Sequence, residues 1–80
     1  MSISAGPRPN PRALRVEFSP DVMRVALVDG RSLDVPLEWF PRLRDATPGE
    51  LQDYELMGDG IGIHWPALDE DLSVAGLLGV

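Results

Sequence analysis

The sequence predicts one small α+β domain: an antiparallel three-strand meander, a short helical segment, a β-hairpin and a short C-terminal helix. Three observations predict it. Apolar and polar residues alternate from Leu14 to Pro36, a longer, helix-like spacing runs from Pro36 to about Ala46, and alternation returns between Asp53 and Trp65 around Asp59-Gly60. A chain of 80 residues, 44% of them hydrophobic, fills one such core and has no material for a second.

Residues 1–13 place Pro7, Pro9 and Pro11 around Arg8, Asn10 and Arg12 with almost nothing apolar, which reads as a disordered proline-rich arm ahead of a folded body over 14–80. In the meander, Leu14, Val16 and Phe18 face Leu27, Val25 and Met23 if Ser19-Pro20-Asp21-Val22 closes the first turn. A two-residue second turn would send Leu33 and Val35 to the opposite face from Met23 and Val25. A three-residue Val28-Asp29-Gly30 turn, with Gly30 in the left-handed region, pairs Val25 with Leu33 and Met23 with Val35, and is therefore the expected geometry.

Leu37, Phe40 and Leu43 then repeat at a helical interval behind Pro36. The adjacent Trp39 and Phe40 cannot face the same side of a helix, so one ring anchors the packing and the other is free. Thr47-Pro48-Gly49-Glu50 is a capping box with proline at the first helical position. A turn at Asp59-Gly60 pairs Leu56 with Ile63, Tyr54 with Trp65 and Glu55 with His64, giving an expected buried face of Tyr54, Leu56, Ile61, Ile63 and Trp65. Residues 68–72 read as an acidic loop, and Ser73 as the N-cap of a last helix carrying Val74, Leu77 and Leu78.

Thirteen acids against seven arginines and no lysine give a net charge of -6, which opposes binding to phosphate backbones and anionic lipid. No direct nucleic-acid or membrane partner is expected. The absence of cysteine excludes disulfides and thiolate chemistry. No stretch is long and apolar enough for a membrane helix or a signal-peptide core, so the expected location is cytoplasmic.

His64 is the single histidine, and no nucleophile elbow, phosphate loop or paired-histidine motif accompanies it. Neither an enzyme nor a cofactor is expected. Asp69-Glu70-Asp71 lacks the spacing of a calcium loop, so no metal site is assigned to it. These acids, with His64 and Trp65, instead form a candidate partner-binding set suited to a small basic protein. The alternative is a small-molecule or metal-responsive sensor, or a minor hydrolase, built on His64.

Phe40-Pro41-Arg42-Leu43, Gly62-Ile63-His64-Trp65-Pro66 and Leu68-Asp69-Glu70-Asp71-Leu72-Ser73-Val74, with Leu77-Leu78-Gly79, resemble the bacterial family called domain of unknown function 2442. The likeness runs from about Leu14 to the C-terminus and implies the same meander, helical segment, hairpin and terminal helix. It further implies a gene neighbour encoding another small domain, in an arrangement resembling a toxin-antitoxin pair with this family in the antitoxin-like role. Some longer relatives continue into a helix-turn-helix domain that this sequence does not contain.

The small core and the apolar Leu77, Leu78 and Val80 lead to a further expectation, a twofold homodimer through the terminal helix and the free ring of Trp39 or Phe40. The competing arrangement folds that helix back on its own sheet.

Overall fold

The computed structural model describes residues 10–79, so most of the proline-rich arm, and Val80, lie outside the described residues. Strands β1 (Ala13–Phe18), β2 (Val22–Leu27) and β3 (Ser32–Pro36) form an antiparallel sheet in the order β1-β2-β3. The second turn has the expected geometry. Met23 pairs with Val35 and Val25 with Leu33, Gly30 lies at φ 96°, and the Leu27 N–H donates to the Arg31 carbonyl at 2.8 Å.

The start of β1 differs from expectation. Phe18 and Val16 pair with Met23 and Val25, but a β-bulge between Ala13 and Arg15 places Ala13 opposite Leu27. The small Ala13 takes the buried place, and Leu14 is turned out to solvent. The expected arm boundary is corrected with it: Ala13 belongs to β1, and Asn10 and Arg12 are already tied to the β2–β3 turn. The Arg12 carbonyl accepts from Val28 at 2.9 Å, and the Asn10 N–H donates to Asp29 at 2.7 Å.

After β3 the chain makes a 3-10 turn (Leu37–Trp39) and two single-turn helices, α1 (Pro41–Arg44) and α2 (Pro48–Gln52). Pro41 divides the first two, because the residue before a proline is pushed out of helical geometry, and Phe40 sits at φ -129°, ψ 89°. Leu37, Leu43 and Leu51 all point into the core, Phe40 packs against it, and Trp39 is the outward ring. Thr47 and Glu50 form the full capping box at the start of α2.

The second half is a three-stranded antiparallel sheet rather than a lone hairpin, in the order β4 (Glu55–Met57), β5 (Gly62–Trp65), β6 (Glu70–Ser73). The predicted β4–β5 register holds, with Glu55 opposite His64, Leu56 opposite Ile63 and Met57 opposite Gly62. The expected acidic loop is corrected to strand. A 3-10 turn (Pro66–Leu68) and Asp69 in the left-handed region at φ 51° reverse the chain, and β6 then pairs with β5 through Ile63–Leu72, His64–Asp71 and Trp65–Glu70. Leu72 is the buried inward residue of this strand and Val74, just past its end, is buried as well; the acids Asp69, Glu70 and Asp71 ahead of them obscured the alternation.

Leu56 and Ile61 were expected in the core, and both are exposed. For Ile61 the cause is the turn, where Gly58, Asp59 and Gly60 all have positive φ, ending the ladder at Met57 and swinging Ile61 away from the inner face, whereas Leu56 keeps its place opposite Ile63 but lies on the edge strand β4. Ile63, Trp65 and Leu72 close against Val16, Met23, Val25, Leu27 and Val35 in one core shared by both sheets. Phe18, Tyr54 and Trp65 form an aromatic triangle with centroids 6.3 to 6.5 Å apart. The Tyr54 hydroxyl accepts from the Val16 N–H of β1 at 3.0 Å, so the second half caps a backbone donor of the first. Ser73 caps α3 (Val74–Leu77), accepting from the Gly76 N–H. That helix folds back: Val74 is fully buried, and Leu77 and Leu78 pack against the core.

Candidate functional site

In β4, β5 and β6 alternate side chains point away from the core, which puts two rows on the outer face of the second sheet. One is Glu55, His64 and Asp71; the other is Met57, Gly62 and Ser73. The His64 Nδ1 is hydrogen-bonded to the Asp71 carboxylate. The sequence places Glu55 across from His64 and the register does so too, but the bond forms on the other side, to the strand that the sequence reading took for a loop. With protonated His64 the contact is an ion pair, and with neutral His64 it fixes the ring through a hydrogen bond.

The five expected partner-binding residues do not lie together. Trp65 is completely buried, and its Nε1 donates to the Leu51 carbonyl at 3.0 Å, so it is the centre of the core and no partner can touch it. Alternation sends Glu70 and Asp71 to opposite sides of β6, Glu70 beside the inner face and Asp71 outward. Asp69 stands in the turn, its side chain 98% exposed. What remains as a surface is His64 with Asp71 and Glu55, rimmed by Asp69. Among the described residues no three His, Cys, Asp or Glu side chains converge as a metal-holding group.

Charge is distributed unevenly over the two halves. In the first, four of the six acids have arginine partners: Asp34 takes a two-pronged contact from Arg24 at 2.7 and 3.0 Å, Glu17 pairs with Arg15 at 2.9 Å, Asp45 with Arg44 at 3.0 Å and Asp29 with Arg31 at 2.8 Å, while Asp21 and Glu38 make no such pair among the described residues. Hydrogen bonds from these guanidinium groups hold the Asp34 and Asp45 carboxyls below the ordinary range. Asp29 goes further, lowered to about 2 by the Arg31 guanidinium and by the backbone N–H groups of Asn10 and Arg31. No lysine or arginine follows Arg44, although eight acids do, beginning with Asp45. Beyond the Arg42 contact to Asp69, the acids of the second sheet have His64 as their basic neighbour.

Sequence reasoning passed over two structural contacts. Asp29, chosen only as a turn residue, is the acceptor that ties down the N-terminal segment. Arg42 reaches from α1 to the turn before β6, donating to the Asp69 carbonyl at 2.7 Å.

The model of the family described as "Protein of unknown function (DUF2442)" matches residues 13–79. The chain belongs to the DUF2442 family. No curated protein matches it. A crystal structure of a protein of unknown function from Rhodospirillum rubrum is similar at 31% identity, with a TM-score of 0.73 over 85% of this chain and 84% of that one. The solution structure of an uncharacterized protein from Chromobacterium violaceum is similar at 27% identity and a TM-score of 0.71, over 85% of this chain and 64% of that one. Two segments of this DUF2442 chain have distinct places in the fold. Phe40-Pro41-Arg42-Leu43 forms α1 and its clamp, while the segment from His64 to Val74 supplies the core tryptophan, the turn that Arg42 holds, and β6.

Proposed function

We propose that this domain is a non-enzymatic protein-binding module, acting in the cytoplasm as the antitoxin-like member of a toxin-antitoxin-type pair. Its acidic second sheet meets a small basic protein encoded beside it. The observation that carries this reading is the segregation of charge: Glu17, Asp29, Asp34 and Asp45, four of the six acids of the first half, are paired with neighbouring arginines, whereas those of the second sheet have no lysine or arginine within their own half of the chain. Such a surface raises the encounter rate with a cationic partner and disfavours an anionic one. A homodimer through this face would oppose like charges, so self-association belongs to another surface, such as that around the exposed Trp39.

The experiment is co-expression with the adjacently encoded protein, with a tag on one chain only. Co-purification at low salt is expected, with loss when Glu55 and Asp71 are both replaced by arginine in a domain that remains folded. Equal recovery of the charge-reversed variant would refute the reading.

The His64–Asp71 contact favours a second reading, since a carboxylate that orients an imidazole is part of many hydrolytic sites. Ser73, on the same face, already accepts from the Gly76 N–H as a helix cap. A panel of ester and phosphoester substrates, comparing the parent with His64→Ala, decides this: turnover lost in the variant would support hydrolysis, and none in either would exclude it for those classes.

A further inference from the structure

Two of the large hydrophobic side chains that the fold leaves exposed are gathered at one place: Met57 and Ile61, 50% and 54% exposed. Beside them the outer face of the second sheet has an open depression of about 600 Å³, lined by Met57, Gly58, Ile61, Gly62, Leu72 and Ser73, with Asp71 at its edge. The floor is low because Gly62 occupies an outward position in β5 without a side chain. Neither strain nor crowding requires glycine there. A Cβ would lie 3.6 Å from the Leu72 carbonyl oxygen and 3.9 Å from the Met57 Cβ, which are ordinary contacts. By contrast, Gly60 in the adjoining turn has no room for a Cβ at all.

An apolar seat of this kind needs an occupant, and its rim limits the choice. Glu55 and Asp71 flank it on the same face, Asp59 stands in the turn above it, and no lysine or arginine follows Arg44. A second copy of this chain would bring the same acids against them, and an anionic segment would be repelled equally. We infer that the depression over Gly62 receives an apolar side chain from a cationic protein segment, lysines or arginines on either side of that residue meeting Glu55, Asp59 and Asp71. This rests on the reading of the second sheet as an acidic docking face and adds to it a specific seat. Charge then governs encounter and the apolar contact governs fit, a division common in protein interfaces.

The test uses the full chain and three short peptides: a lysine-rich one with a single central leucine, the same peptide with glycine in place of leucine, and a glutamate-rich one with the leucine. Binding is followed by amide NMR. The leucine-bearing cationic peptide is expected to bind roughly tenfold tighter than its glycine counterpart, about what partial burial of one leucine supplies. Its shifts should centre on Met57, Ile61, Gly62 and Ser73. Gly62→Val should abolish the leucine's advantage and keep the residual charge-driven binding, and Ile61→Ser, at an exposed position, should reduce that advantage without risk to the core. Equal binding of the two cationic peptides would overturn the seat and leave the acidic-face reading intact. Absence of binding by both would overturn that reading as well. Tighter binding of the glutamate-rich peptide, or the same shifts appearing on concentrating the protein alone, would overturn the assignment of a cationic occupant.

Discussion

The guanidinium of Arg42 donates to the main-chain carbonyl of Asp69 at 2.7 Å, and its NH1 also lies 3.5 Å from the Leu68 carbonyl. The bond joins α1 to the left-handed turn that starts β6, so it positions the strand carrying Asp71 beneath His64. The Asp69 side chain, 3.9 Å away and almost wholly exposed, adds little to it.

Arg42→Ala should therefore destabilise the domain by about 1 kcal/mol, since the bonds are charge-assisted but solvent-exposed. For a domain of this size that corresponds to a fall of roughly 4–8 °C in melting temperature. Asp69→Asn should cost much less, because the acceptor is its backbone carbonyl. Differential scanning calorimetry of the two variants checks the ordering, and equal losses would place the interaction in the side-chain ion pair instead.

Acid should loosen the N-terminal segment through Asp29. Its folded pKa is about 2, against 3.8 for the free side chain, so the folded state holds fewer protons between those values. The stability this group contributes is complete above its unfolded value and is lost as pH falls from there through about 2. The melting temperatures of the parent and Asp29→Asn should converge as pH is lowered across that window. A gap independent of pH would show that Asp29 acts without its charge.

Two glycines with nearly the same φ separate strain from crowding. Gly30 has φ 96° with open space around a Cβ, while Gly60 has φ 98° and its Cβ would lie 2.3 Å from the Ala13 carbonyl oxygen. Gly30→Ala should cost about 1 kcal/mol, the penalty of left-handed backbone for an L-residue. Gly60→Ala should cost at least about 2 kcal/mol, because the turn must also withdraw from β1. Urea denaturation compares them, and equal costs would mean that the turn does not press on β1.

The extent to which the sequence revealed the fold follows from how each element is specified. The register of the meander was legible because a one-residue slip would have turned Leu33 and Val35 out of the core, and the capping box and Ser73 cap because their side-chain chemistry is local. The bulge at Leu14 was not, because it arises from the start of β1 meeting a turn some 45 residues later, a contact no local pattern encodes. Strand β6 was hidden because Glu70 and Asp71 have poor strand propensity, and the pairing that overrides it depends on Arg42 and the buried Leu72 and Val74. This one omission also misplaced the candidate site. Without β6, Glu55 is the only partner for His64, and Trp65 can be imagined at a surface; with it, Trp65 is sealed in the core and Asp71 takes the histidine. The seat over Gly62 was equally invisible, since a glycine in a strand reads as weakness until its neighbours on both sides are known.

The most direct test of the central claim is the affinity of the domain for the adjacently encoded small protein, measured by titration calorimetry across a series of salt concentrations. Contacts between an acidic sheet and a basic partner should weaken steadily as the Debye length falls from roughly 10 Å at 0.1 M salt to 3 Å at 1 M, and the Glu55→Arg, Asp71→Arg variant should lose both the affinity and its salt dependence. Undiminished binding at high salt, or a charge-reversed variant that binds as the parent does, would contradict the assignment of the second sheet as the docking face.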